Sequence, residues 1–125
     1  MIDFETLRNT DDEPTLSVEE KGLIDEGTRD LAVAAITGSY PPGANEYARN
    51  KVSDMEITLL SGAGKIIVNS REKRRIHPLQ SADTSVTVLK GEPYFYSADP
   101  GVTLEVSMKS TPPWNEAQYD IITRD

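Results

Sequence analysis

Residues 102–108 alternate without a break: Val102, Leu104, Val106 and Met108 fall on one side, with Thr103, Glu105 and Ser107 between them. A period of two marks a strand with one face in a core, because successive side chains point to opposite faces of a sheet. Val86 and Val88 repeat the pattern over residues 85–89, and Tyr94 and Tyr96 share one side of a short aromatic run with Phe95 on the other. The remaining apolar runs, at residues 31–36, 55–60 and 65–69, are short. Between the runs lie Tyr40-Pro41-Pro42-Gly43, Ser61-Gly62-Ala63-Gly64, Lys90-Gly91-Glu92 and Asp99-Pro100-Gly101. Proline fixes φ and glycine supplies the positive φ of tight turns. Strands at intervals of roughly 8–12 residues, punctuated in this way, predict an all-β antiparallel sandwich or barrel. Within it, residues 65–69 read as the return strand of a hairpin whose tip is Ser61-Gly62-Ala63-Gly64.

The first thirty residues have a different character. They hold ten acidic side chains against three basic ones, which accounts for most of the net charge of −8. Residues 1–14 read as an extended arm or first short strand anchored by Ile2, Phe4 and Leu7. Residues 15–30 support two readings: a helical turn capped by Ser17 and Glu20, or strand and loop. The chain of 125 residues therefore divides into an acidic N-terminal arm, 1–30, packing on a barrel domain, 31–125. An acidic surface repels phosphates and anionic lipid, so neither nucleic acid nor membrane is an expected partner. Arg71, Lys73, Arg74 and Arg75 oppose that trend, either as a solvated loop or as a patch for an anionic ligand or acidic partner. The chain has no cysteine, which excludes disulfides, iron–sulfur clusters and thiolate zinc sites. With no signal-like start and no apolar run long enough to span a bilayer, the expected location is cytoplasmic.

The order of these turns resembles the cupin family. The first cupin motif is a glycine, five residues, His-x-His, three or four residues, Glu, six residues and a closing glycine. Counted from Gly43, Arg49 and Lys51 stand at the histidine positions, Met55 at the glutamate and Gly62 at the closing glycine. The second motif, counted from Gly91, places Ser97 and Asp99 at its Pro-x-Gly, Val102 at its histidine and Val106 at its asparagine. The resemblance covers residues 36–119 and implies a cupin-like jelly-roll β-barrel (a double-stranded β-helix) of antiparallel strands. It also implies a pocket in the barrel mouth and a homodimer formed through an outer sheet face. The metal-binding side chains are replaced, and the one histidine of the chain is His77. Cationic side chains repel the cation that such a site would hold. The expectation is metal independence, with no metal ligands and no cofactor. Met55, Ile57 and Leu59 should line the inner face of their strand and Glu56 the outer, unless a bulge near Ser53 and Asp54 turns it inward.

Each candidate residue has a functional and a structural reading. Tyr47, Arg49, Lys51, Tyr94 and Tyr96 are the candidate ligand-binding residues. Inward-facing Arg49 and Lys51 would need an anionic ligand or a carboxylate such as Glu46 or Glu105, whereas on a solvated loop they need neither. Tyr94 and Tyr96 either stack on a ligand or fill the barrel end from an edge strand. Trp114 either closes the barrel or meets a ligand. His77 is a candidate acid/base near neutral pH or a surface residue beside Pro78. The favoured reading is a non-metal small-molecule binding or accessory protein rather than an enzyme. The alternatives are a metal-independent isomerase or lyase using His77 or a tyrosine, and a homodimeric interaction module without a ligand.

Overall fold

A computed structural model describes residues 4–23, 28–70, 74–110 and 116–123. Eleven strands run in chain order as β1 (Thr15–Leu23), β2 (Thr28–Thr37), β3 (Ser39–Tyr40), β4 (Glu46–Asn50), β5 (Met55–Ser61), β6 (Gly64–Asn69), β7 (Arg74–Leu79), β8 (Ser85–Val88), β9 (Tyr94–Ala98), β10 (Leu104–Ser110) and β11 (Tyr119–Thr123). One sheet has the order β1-β2-β10-β5-β8 and the other β11-β4-β9-β6-β7, with β3 also pairing with β9. The ladders are antiparallel. The protein is all-β, as its alternating runs predict. No helix among the described residues is long and apolar enough to cross a membrane.

From β4 onward the chain changes sheet at every connection except β6–β7, which is the jelly-roll arrangement. One expected hairpin is thereby corrected. β5 pairs with β10 and β8, while β6 lies in the opposite sheet beside β9 and β7. A glycine-rich link between two apolar runs looks like a hairpin tip, but here it is a corner threaded between two strands. A Cβ on Gly62 (φ 82°) would lie 2.0 Å from the carbonyl oxygen of Thr103, and one on Gly64 would lie 2.4 Å from that of Ser97. The hairpin partner of β6 is instead β7, so Arg74 and Arg75 sit on a strand rather than in a basic loop. Pro78 is tolerated there because β7 is a sheet edge, where a missing N–H costs no ladder bond.

Residues 15–23 form strand β1, paired with β2 from Thr15↔Thr37 onward, so the helical-turn reading fails. Strand β2 passes through residue 30. Ahead of β1, Leu7 packs on the outer face of the second sheet against Tyr47, Ile67 and Phe95. Arg8 closes this small cluster. Its guanidinium carbon stands 3.8 Å from the Phe95 ring centroid and 5.5 Å from that of Tyr47. It donates to the carbonyls of Pro41 and Glu46. A cation at 8% exposure is tolerable only with such partners. Ile2 and Trp114 lie outside the described residues.

The main core lies between the sheets. Met55, Ile57 and Leu59 face inward at no more than 2% exposure, and Glu56 is exposed on the outer face, as alternation requires. Leu104, Val106 and Met108 also face inward from β10, at no more than 3% exposure, while Val102 precedes the strand. Strand β9 is buried along its whole length, because the main core covers one face and the Arg8 cluster the other. The edge-strand expectation for Tyr94 and Tyr96 is thus corrected: β9 is central, between β4 and β6.

The Gly64 corner gives a direct test. Gly64→Ala forces a methyl against backbone rather than a movable side chain, so it should destabilise by about 1–3 kcal/mol. Urea denaturation should show a lower midpoint at unchanged slope. An unchanged midpoint would mean that the β5–β6 corner does not pass this close to β9.

Candidate functional site

The two sheets leave a space that the cupin resemblance marks as the usual site, so its lining decides what this barrel can do. Tyr47 and Arg49 point to the outer face of the second sheet, and Ala48 and Asn50 point inward. Tyr47 packs with Phe95, its ring centroid 5.6 Å away, and Ala48 belongs to the main core. A frame counted from Gly43 is therefore out of step with β4 by one residue, and in a strand a slip of one exchanges the faces. Arg49 meets Asp120 of β11 through two hydrogen bonds of 2.9 Å. That pair holds the Asp120 carboxyl below its usual value, chiefly through the hydrogen bond from Arg49. The same bond raises the Arg49 value. With both side chains about one-third exposed, the pair contributes little to stability. Lys51 is exposed beyond the strand end.

The second motif also shifts. With Gly91 as the closing glycine of Pro-x-Gly, Leu89 stands at the proline, Asp83 at the leading glycine and Tyr94 at the histidine. Two backbone features fit this count: Asp83 has φ 69° and Gly91 φ 81°, both in the left-handed region. Tyr94 is directly opposite Ala48 across the β4–β9 ladder. The inward positions matching the family's ligands are then Ala48, Asn50, Met55 and Tyr94, each at no more than 2% exposure. Alanine and methionine offer no hard ligand. Asn50 is committed to the fold, donating to Gln118 Oε1 at 3.1 Å and accepting from the N–H groups of Val52 and Ser53. Among the described residues no three His, Asp or Glu side chains converge as a metal-binding group.

Tyrosines occupy this region. Tyr94 and Tyr96 meet edge to face, with centroids 5.5 Å apart and rings at 82°. Tyr119 donates to the Tyr40 hydroxyl at 2.6 Å, and both rings pack against the same core, half-buried. The Tyr96 hydroxyl is buried, with no hydrogen-bond partner among the described residues. Burial is the main cause raising both hydroxyls above the ordinary tyrosine value. The neighbouring Tyr96 adds to the shift at Tyr94, and Tyr119 adds to it at Tyr96. Small inward residues (Ala32, Ala34 and Ala48) belong to the same core and offset the bulk of these rings.

His77 lies elsewhere, half-buried on edge strand β7. Its Nε2 accepts from Arg75 Nε at 3.1 Å. Arg75 also pairs with Glu92 at 3.0 Å and reaches the Thr87 carbonyl, tying β7 to β8 where the two sheets meet. The expected ligand residues thus divide into an outward set (Tyr47, Arg49), an inward set (Tyr94, Tyr96) and exposed Lys51. They do not form one pocket.

A cleft of about 560 Å³ opens at the end of the barrel, lined by Ser53, Met55, Glu56, Thr87, Lys90 and Lys109 among others. The Asn50 side chain folds the turn that delivers Ser53 to it. The Lys90 loop is fixed by the Asn50 carbonyl, which accepts from Gly91 N–H at 2.8 Å, and by Asp54 Oδ1, which accepts from Lys90 N–H at 2.7 Å. Ser53 is 6% exposed, and its hydroxyl is enclosed with no hydrogen-bond partner among the described residues. These residues carry no motif, and of them only the phases of Met55 and Glu56 on β5 were read in advance.

No family model and no curated protein matches the chain. Solved structures do, at low identity. The Mn(II)-containing oxalate decarboxylase of Bacillus subtilis matches at 11% identity and TM-score 0.58, over 92% of this chain and 29% of its own. The fold is cupin-like. CENP-C of Drosophila melanogaster, solved bound to CAL1, matches at 9% identity and TM-score 0.58, over 76% of this chain and 73% of its own. A nucleoside dehydratase matches at 15% identity and TM-score 0.51, over 95% of this chain and 88% of its own. The chain therefore spans less than a third of the decarboxylase and most of the other two. At these identities the likeness concerns the fold alone.

The tyrosines make the stability pH-dependent in one direction. An unfolded chain ionises them near 10 while the folded one resists, so stability is retained below about pH 10 and falls above it. Urea midpoints measured at about pH 8 and about pH 11 should show this loss, and Tyr96→Phe should reduce it. Complete tyrosinate absorbance near pH 10 in the folded protein would contradict the burial of these hydroxyls.

Proposed function

We propose that the chain is a non-metal member of the cupin group that binds a small molecule in the end cleft formed around Ser53. The observation that carries this reading is a cleft of metabolite size, about 560 Å³, whose wall carries charged side chains of both signs (Asp54, Glu56, Lys90 and Lys109). The centre of the barrel supports no such role, since its lining is closely packed core. An acid/base enzyme is the weaker reading. Tyr94 and Tyr96 hold their protons too firmly and lie out of solvent's reach, and His77 is engaged by Arg75 rather than facing the cleft. Screening a metabolite library by thermal shift, with and without a chelator, tests the proposal. A stabilising compound whose effect is unchanged by the chelator is expected. Stabilisation that vanishes with the chelator, or no stabilising compound, would contradict it.

A second reading, a homodimer through the open face of the first sheet, draws on one observation. Leu60 is 47% exposed there, and Leu31, Val33 and Ala35 lie half-buried on the outward side of β2. Such apolar side chains on an uncovered sheet face suit a partner surface. Light scattering should give a dimer mass that Val33→Glu with Leu60→Glu reduces to a monomer. A monomer mass for the unaltered protein would remove this reading.

A further inference from the structure

We infer that the outer face of the second sheet is an arginine-binding site, filled in cis by Arg8 of a separable N-terminal strap. Once the strap lifts, the site is open to an apolar-Arg-Asn segment of another protein. The socket suits a guanidinium. The Arg8 guanidinium carbon lies 3.8 Å from the Phe95 ring centroid and 5.5 Å from that of Tyr47. Its two terminal nitrogens donate to the carbonyls of Pro41 and Glu46. A flat cation with a fork of donors meets the rings and both carbonyls at once, which a lysine ammonium does not. Leu7 supplies the apolar contact with Tyr47, Ile67 and Phe95. The residue after the arginine is also recognised. Asn9 N–H donates to Ser97 Oγ at 2.9 Å and the Asn9 carbonyl accepts from Ser39 Oγ at 3.1 Å, which fixes the backbone. The Asn9 side-chain amide donates to the Ala98 carbonyl at 2.9 Å, which specifies asparagine.

The strap is held differently from the rest of the chain. Among the described residues, none ahead of Thr15 joins a strand ladder, and none belongs to the core between the sheets. Both sheets are complete without it. Beyond the contacts of Leu7, Arg8 and Asn9, Asp12 Oδ2 accepts from Gly101 N–H at 2.8 Å. A crevice of about 260 Å³ separates Thr6 and Asp11 of the strap from Lys65, Ser97 and Asp99 of the body, so the strap is not packed down along its length. Burying the guanidinium costs solvation, which offsets part of what its partners contribute. A segment fastened in this way opens at a lower free energy than a central strand. Opening uncovers Tyr47, Ile67 and Phe95, an apolar patch of the kind that receives a partner.

Hydrogen exchange on the unaltered full chain tests separability. The amides of Asn9 and Gly101, bonded across the strap boundary, should exchange more than about tenfold faster than the slowest amides of the β6–β9 ladder. Equal rates would mean that the strap opens only with the whole fold, and would overturn the inference. Recognition is tested in the full-length Arg8→Ala chain, with ethylguanidinium and ethylammonium at equal concentration as probes. Ethylguanidinium should restore part of the lost thermal midpoint and ethylammonium none, while the unaltered chain responds to neither. A synthetic peptide of residues 4–14 should bind this variant at least about tenfold more tightly than it binds the unaltered chain. The same peptide carrying Arg8→Lys should bind about tenfold more weakly, as the loss of one charge-assisted bond requires. Failure of rescue, equal rescue by the two cations, or peptide binding indifferent to these changes would overturn the site. An Arg8→Ala chain that does not fold would also contradict it, because the barrel is held to stand without the strap.

Discussion

Strand β9 has no solvent face, and a strand covered on both sides constrains everything laid against it. Its inward tyrosines must be packed with few partners for their hydroxyls, and its outward Phe95 needs a cover of its own. The molecule meets the first demand with small residues, placing Ala48 directly across the ladder from Tyr94. It meets the second with Arg8, whose cation lies on the Phe95 ring and whose donors go to two backbone carbonyls. The acidic N-terminal segment is thereby fastened to the barrel by a basic residue. Sheet position explains the rest: β9 is central, so β4 and β6 flank it and the edges fall on β7 and β11.

This packing also governs chemistry. A barrel of this shape can hold a cation between its sheets when imidazoles and a carboxylate face inward. Here the corresponding inward positions are Ala48, Asn50, Met55 and Tyr94, and the one polar side chain other than tyrosine is spent on the turn that follows β4. The proposed ligand cleft lies instead at the barrel end, where the same turn places Ser53 and Asp54 in its wall and the Lys90 loop is clamped beside them. Asn50 thus links the filled interior to that cleft. Its side chain shapes the turn and its carbonyl holds Gly91.

Much of the architecture was legible because the inward residues of β5, β8 and β10 alternate cleanly, and a period of two needs no knowledge of partners. The strand pairing was less so. Gly62 and Gly64 look the same in sequence whether they make a hairpin tip or a corner, and only the carbonyls of Thr103 and Ser97 tell them apart. The phase of β4 was lost for a related reason. Tyr47, Ala48, Arg49 and Asn50 contain no hydrophobic alternation, since Tyr47 is buried on the outer face and Ala48 on the inner. Burial on both faces erases the signal that separates them. The residues of the proposed cleft were illegible as a group, because a loop contact at Lys90 and the β10–β5 ladder at Lys109, rather than spacing, bring them beside Ser53.

On the proposed function the ligand enters at the barrel end and leaves the tyrosine-filled interior undisturbed. Thr87 lines the cleft from the exposed side of β8 and Tyr96 lies in the core, so the two report on the two places within one molecule. Nuclear magnetic resonance of protein labelled at threonine methyls and tyrosine rings, followed through a titration with a stabilising ligand, separates them. The Thr87 methyl should move with ligand while the Tyr96 ring signals hold still. A shift of Tyr96 with Thr87 unmoved would place the ligand between the sheets and contradict the proposed function.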